Sequence, residues 1–247
     1  MSKSVALIVP CFNEENRLDT TRWEKIFLDN LNVDWYFVND GSNDATDEIL
    51  EKIASKNFQS VHLISSEKNL GKGNAIRLGL LCALDKNPYN IVGYLDSDLS
   101  YSVMDINRII LQMINTDDLE CLICSRVNLS GRLINRKRNR HLLGRIIAGL
   151  IGIYWKDAPY DTQAGFKLFK SNDQLLSLLN QPFQTRWFFD IELLIRLKNR
   201  RNATFTIWEE PANYWEDVSG SKLNYRQFSI VLKELKMILT ILKKTVS

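Results

Sequence analysis

The chain has 247 residues, 45% of them hydrophobic and 25% charged, with a formal net charge of +3, the composition of a soluble globular protein able to bury a full core. No run approaches the ~18 apolar residues of a membrane span, the longest being Ile146 to Trp155, so a membrane could be met only at its surface. The basic residues are unevenly placed: no Asp or Glu occurs from Cys121 to Lys156, a stretch holding Arg126, Arg132, Arg136, Lys137, Arg138, Arg140, Arg145 and Lys156, which points to an anionic partner.

Met1-Ser2-Lys3 leads directly into the apolar run Val5 to Val9, so no secretory leader is expected and the cytoplasm is the expected compartment. That run is continuously aliphatic, as a parallel strand covered on both faces requires. Helical spacing follows from Arg17 to Leu31, then a second strand from Trp35 to Val38. Ala45 to Ser55 reads as a helix with Asp44 as its N-cap, Val61 to Ile64 as a strand, and Gly73 to Leu84 as a helix. Ile91 to Leu95 is the fourth strand. Repeated βα units of this kind predict a doubly wound, mostly parallel sheet. The ends of its first four strands then share a rim, and all carry Asp, Asn, Glu, Gly or Lys.

Beyond Leu95 the pattern predicts a helix from Ser102 to Asn115, a strand from Leu119 to Cys124, and an amphipathic helix from Leu142 to Trp155. The turn Tyr160 to Gly165 leads into a short strand ending at Phe169, and Asp190 and Glu192 open a helix near its positive end. Ala203 to Trp208 and Ala212 to Trp215 look like strands, Gly220-Ser221-Lys222 like a turn, and Tyr225 to Thr245 like a final amphipathic helix. Its apolar stripe suits a core face or, alternatively, a membrane surface. The expected organisation is a main domain over residues 1–222 with the helix of 223–247 packed on or beside it.

The sharpest chemical signal is Asp96-Ser97-Asp98 at the end of the fourth strand, where open α/β sheets place ligands. Two carboxylates so close repel unless a cation lies between them, and an all-oxygen site suits Mg²⁺ or Mn²⁺. Gly71-Lys72-Gly73 fits neither the dinucleotide fingerprint nor the phosphate-loop pattern, which leaves a glycine-rich helix entrance beside a lysine, suited to a diphosphate. Cys121 and Cys124 form a CxxC with no second pair, so the four cysteines read as buried thiols; His62 and His141 are too few and too distant for a triad.

Val9-Pro10-Cys11-Phe12-Asn13-Glu14, Asn39-Asp40-Gly41-Ser42, Asn69-Leu70-Gly71-Lys72-Gly73, Asp96-Ser97-Asp98 and Ser125-Arg126 together resemble family 2 glycosyltransferases of the GT-A fold. Asp161-Thr162-Gln163-Ala164-Gly165-Phe166-Lys167-Leu168-Phe169, the stretch Arg186 to Leu194, and Trp215 through Gly220-Ser221-Lys222 narrow the resemblance to the dolichyl-phosphate and polyprenyl-phosphate glucosyltransferases. Two features depart from that pattern. Ser100 stands where such synthases often carry Gln, and many relatives have transmembrane helices that this sequence lacks.

The resemblance implies an inverting, metal-dependent transfer of a hexose from a nucleotide sugar, UDP-glucose being favoured, to a polyprenyl or dolichyl phosphate. Pro10, Asn13, Glu14, Asp40, Gly71, Lys72 and Asp96 would hold the donor. Asp96 and Asp98 would hold Mg²⁺ or Mn²⁺, and Arg126, Arg136, Arg138, Arg140 and Lys222 would bind the acceptor phosphate. Asp161 would orient the acceptor, or serve as base toward a sugar hydroxyl. The basic segment with Ile146 to Trp155 suits an interfacial helix of a protein peripheral to the membrane. The rival expectations are transfer to a glycan hydroxyl in polysaccharide assembly, an inactive nucleotide-sugar sensor, and a nucleic-acid-binding protein, which ranks low because it leaves the rim carboxylates unexplained.

Overall fold

A computed structural model describes residues 5–29, 32–86, 89–200, 206–218 and 228–246. Seven strands form the main sheet: β1 (Val5–Cys11), β2 (Val33–Asn39), β3 (Val61–Ser65), β4 (Ile91–Leu95), β5 (Cys121–Ser125), β7 (Phe166–Lys170) and β8 (Ile207–Pro211), in the order β3-β2-β1-β4-β7-β5-β8. A second, two-stranded sheet pairs β6 (Leu133–Asn135) with β9 (Tyr214–Glu216). The helices are α1 (Thr20–Asp29), α2 (Thr46–Lys56), α3 (Lys72–Lys86), α4 (Val103–Ile114), α5 (Arg138–Tyr154), α6 (Asp173–Leu179), α7 (Phe189–Arg200) and α8 (Phe228–Val246).

Successive strand residues point to opposite faces, and this alternation sorts the sheet into two cores. Val5, Leu7, Val9, Trp35 and Phe37 pack with α1, α2 and α4, where Trp23 meets Trp35 and Phe37 edge-on at ring separations of 5.5 and 4.9 Å. Ala6, Ile8, Tyr36, Val92 and Tyr94 pack with α3, α5, α6, α7 and α8 on the other face. Val231, Ile238 and Leu242 carry α8 into that core, so its inward stripe serves packing. Cys11, Cys121 and Cys124 are buried free thiols as expected, whereas Cys82, also free, is only half-buried.

β1, β2, β3 and β4 are parallel, which brings their C-terminal ends to one rim as the sequence pattern predicted. The departure is β7, which inserts antiparallel between β4 and β5. The helix before it, α5, follows β6 of the second sheet and not a strand of the main one, and the turn of residues 161–165 leads into β7 at the same rim.

Several boundaries differ from the expected ones. α1 begins at Thr20 because Arg17 and Leu18 are held in a turn by the carbonyl of Glu14. Ala45, not Asp44, occupies the N-cap position of α2, although the Asp44 carboxylate still accepts from the Thr46 amide. α5 begins at Arg138, so Arg138 and Arg140 lie in its first turns rather than in the loop before it. The strand expected from Ala203 becomes Ile207–Pro211, with 201–205 outside the described residues, and the one expected from Ala212 becomes Tyr214–Glu216.

Candidate active site

The rim is first stitched together from backbone and short polar side chains. The Asn13 amide donates to the Ser42 hydroxyl, the Asn43 amide to the Asn13 side chain, and the Glu14 amide to Thr46 Oγ1 at 2.7 Å. The loops after β1 and β2 thereby form one floor. Asp40, only 2% exposed, accepts from the amides of Leu70 at 2.6 Å and Gly71 at 2.9 Å. Burial pushes its carboxyl above the ordinary range in spite of those two donors. The glycine loop is thus anchored through Asp40, and the Leu70 and Gly71 amides expected to face a diphosphate are spent on that anchor. Gly41 and Gly71 both adopt positive φ, +68° and +85°; a Cβ on Gly71 would meet the Arg186 guanidinium at 2.7 Å.

Both rim carboxylates meet cations of the protein. Asp96 Oδ1 lies 2.6 Å from Lys72 Nζ, and Asp98 Oδ2 lies 2.6 Å from an Arg17 nitrogen whose guanidinium also pairs with Glu14. Surrounding protein atoms pull the Lys72 ammonium down, but Asp96, Asp190 and Asp98 outweigh them and hold it above its ordinary value. Asp96 packs directly over Gly165, where any Cβ would collide with its carboxylate, and its amide donates to the Gly165 carbonyl at 3.0 Å.

No group of three or more His, Cys, Asp or Glu side chains gathers to hold a metal among the described residues. The donor set is two hard carboxylates on a partly open rim, and the buried Asp96 Oδ1 makes no aligned hydrogen bond despite its lysine neighbour. That set fits Mg²⁺ or Mn²⁺ held jointly with diphosphate oxygens and water, the usual manner of Mg²⁺ sites, and does not form an all-protein cage. Ser100 adds no reach of its own. Its amide and hydroxyl both donate to Asp98 Oδ1, at 3.2 and 2.8 Å, which orients that carboxylate.

The second half of the rim belongs to Asp161 and Arg126. Arg126 Nε and one terminal nitrogen each reach an Asp161 oxygen at 2.7 Å, and the Arg126 amide adds a third bond at 2.9 Å. Burial alone would raise the Asp161 carboxyl, yet this pairing holds it well below the usual carboxylate range and holds the guanidinium above its own. Two expectations are refined as a result. A carboxylate so stabilised as an anion is a weak proton acceptor, which favours the expected orienting role of Asp161 over the alternative role of base. Arg126 has its charge balanced by that carboxylate. Glu209 braces the turn by accepting from the amides of Tyr160 at 2.6 Å and Asp161 at 2.8 Å.

Beside this pair runs a cleft lined by Arg136, Arg145, Tyr160, Asp161, Thr162 and Gln163. Arg145 stacks on the Tyr160 ring at 3.8 Å and donates to its carbonyl, and it pairs with no carboxylate among the described residues. Arg145, Arg17 and Arg186 are the residues that sequence reasoning did not place at the site. Arg17 stands three residues after Glu14, a spacing that announces the local pair but not the contact with Asp98. Lys222 and the side chains of Arg138 and Arg140 lie outside the described residues.

A model of glycosyl transferase family 2 matches residues 6–181. The chain belongs to that family. It is 32% identical over 232 residues to a dolichyl-phosphate beta-glucosyltransferase of Trichomonas vaginalis, covering 89% of this chain and 68% of that protein. The Drosophila melanogaster dolichyl-phosphate beta-glucosyltransferase is 30% identical over 236 residues, covering 90% of this chain and 70% of the relative. The expected family and branch resemblance is borne out. Among solved structures, glucosyl-3-phosphoglycerate synthase from Mycobacterium tuberculosis, in complex with Mn²⁺, UDP and phosphoglyceric acid, aligns at a TM-score of 0.68 and 14% identity over 99% of this chain and 79% of that one. A Pyrobaculum calidifontis mannosyltransferase with GDP-Man and Mn²⁺ aligns at 0.63 and 14% identity, over 97% of this chain and 63% of its own. These likenesses establish the GT-A fold of this family 2 glycosyltransferase.

The buried Asp161–Arg126 pair makes the enzyme's stability depend on pH. A carboxyl with a depressed folded-state pKa contributes stability above the ordinary value of about 4 and loses it as pH falls below that. Asp161→Asn should cost about 3–5 kcal/mol at neutral pH, because it strands the Arg126 charge. Urea unfolding at pH 7 and at pH 3 checks this: the gap to wild type narrows in acid, and a constant gap would contradict the assignment.

Proposed function

We propose that this glycosyltransferase moves glucose from UDP-glucose to a polyprenyl or dolichyl phosphate with inversion at the anomeric carbon. The observation that carries the acceptor is the charge of the cleft. Arg126 and Asp161 pair with each other, and the cleft is lined besides by the guanidinium-bearing Arg136 and Arg145, with the half-buried Glu209 bracing the turn of its wall. A surplus of guanidinium suits a phosphate bound bidentately and has no use for a neutral sugar hydroxyl. A phosphate monoester has its second pKa near 6 and is largely a dianion at neutral pH, so it attacks without a general base. A sugar hydroxyl would need one, and Asp161, its carboxylate stabilised by Arg126, is a weak one.

On the donor side, the floor formed by Pro10, Asn13, Glu14 and Asp40 receives the nucleoside, and Lys72 and Arg186 face the diphosphate from the glycine loop. Asp96 and Asp98 would hold Mg²⁺ or Mn²⁺, which supplies Lewis-acid neutralisation of charge on the departing nucleotide. Lys72 is already seated against Asp96 and adds charge from the protein itself.

The lipid character of the acceptor is supported by α5. Ile147 and Ile151 face the core, whereas Leu142, Ile146 and Ile153 are exposed, at 63%, 54% and 67%. They form one stripe on the helix that also carries Arg145, and basic residues surround it. That arrangement suits the boundary of an anionic bilayer, with the cleft held at headgroup level. Among the described residues no helix is long and apolar enough to cross a membrane.

Two experiments test the proposal. Purified enzyme with Mg²⁺ or Mn²⁺ is offered UDP- and GDP-sugars against polyprenyl phosphate, 3-phosphoglycerate and oligosaccharides. Glycolipid from UDP-glucose is expected, abolished in Asp98→Ala and supported by Arg145→Ala only at about tenfold higher acceptor concentration. Transfer to an oligosaccharide or to 3-phosphoglycerate in its place would overturn the lipid acceptor. In the second, wild type should sediment with vesicles containing phosphatidylglycerol, and the Leu142→Asp/Ile146→Asp/Ile153→Asp variant should lose at least tenfold of that binding. Equal sedimentation would remove α5 from the interface.

A further inference from the structure

Lys167 is a lysine with no solvent exposure at all, in the middle of β7. Its register partner across the β4–β7 pair is Tyr94, two residues before Asp96, and its ammonium lies 5.3 Å from the Tyr94 ring. The ammonium donates to the Ala164 carbonyl at 2.6 Å and to Asp190 Oδ1 at 2.5 Å. The Tyr94 hydroxyl donates to the same Asp190 oxygen, and burial together with the Asp190 charge keeps that phenol protonated far above its ordinary range. Asp190 itself sits in the first turn of α7 and is 5% exposed.

Stability does not explain such a cluster, because well-packed apolar residues in place of a buried ion pair are often neutral or stabilising. Its connections do. Ala164 belongs to the turn that carries Asp161 at one end and Gly165, under Asp96, at the other. Phe189, adjacent to Asp190, packs so closely on Gly73 that a Cβ there would meet it at 2.5 Å, and its ring lies 5.8 Å from Lys72 Nζ. Lys72 pairs with Asp96, whose amide returns to Gly165. The contacts close a circuit through β4, the 161–165 turn, α7 and the glycine loop.

We infer that Lys167, Asp190 and Tyr94 are positioning residues that hold the donor-side Asp96 and the acceptor-side turn in one register. The inference rests on the proposed reading of the two half-sites. Misplacement by about 1 Å between reacting groups can cost as much as a hundredfold in rate, so the cluster acts on kcat rather than on binding.

The test is the variant Tyr94→Phe/Lys167→Met/Asp190→Leu, which removes the three polar side-chain partners at once and leaves only the Ala164 carbonyl without its lysine donor. It should fold cooperatively, bind UDP within threefold of wild type, and lose about tenfold or more in kcat per folded molecule. Amide exchange over residues 161–165, measured without substrates, should quicken at least tenfold. A folded variant with wild-type kcat and wild-type exchange would overturn the inference. Should the triple variant not fold, Tyr94→Phe keeps the ion pair and should still lower kcat several-fold with unchanged UDP affinity; unchanged kcat there overturns it equally. The exchange arm needs no acceptor. Failure of glycolipid formation by wild type would therefore count against the proposed function, while unaltered exchange would count against the clamp.

Discussion

The buried contact between Asp161 and Arg126 decides how the rest of the rim can work. Three short bonds fix an aspartate as an anion and a guanidinium as its cation. That carboxylate is stabilised as an anion, and the guanidinium charge beside it is balanced. Arg136 and Arg145 line the cleft beside that pair, and Lys72 pairs with Asp96 at the end of β4. The site that results works by placing charge, with little provision for moving protons on the acceptor side.

The sheet makes that placement possible. Parallel β1 to β4 bring four polar strand ends to one rim, and the antiparallel β7 threads the Asp161 turn in beside them. Close packing then sets the spacing between half-sites: Asp96 lies against Gly165, and Phe189 against Gly73. β9 contributes from outside the main sheet, where Trp215 lies 5.4 Å behind the Arg126 guanidinium.

Much of this was legible in the sequence because it is local. Continuous aliphatic runs gave the parallel strands, and polar clusters directly after them gave the rim. Asp96 and Asp98 were singled out on pattern, Asp161 and Arg126 through the family resemblance. Their partners were not. Arg17 and Asp98 are 81 residues apart in the chain, Asp161 and Arg126 are 35 apart, and neither pairing leaves a trace in spacing. This is why the sequence left Asp161 between orienting the acceptor and serving as base: only its partner weighs on that choice. Nothing in Phe-Lys-Leu-Phe-Lys marks Lys167 as interior, yet it has no solvent exposure in β7. β7 was legible as a strand but not in its direction, since the helix before it follows a strand of the second sheet and not one of the main sheet. The short β6 and α6 carry too few residues for a period to register.

If the acceptor is a phosphate dianion that needs no base, then pH acts through the acceptor and not through the enzyme. The most direct measurement is kcat/KM for polyprenyl phosphate across pH, repeated with the corresponding phosphonate, whose second ionisation lies higher. The account requires an acid limb that breaks near pH 6, the second phosphate pKa, and moves upward with the phosphonate. A break that stays fixed when the acceptor is changed would place the titrating group on the enzyme and contradict the account.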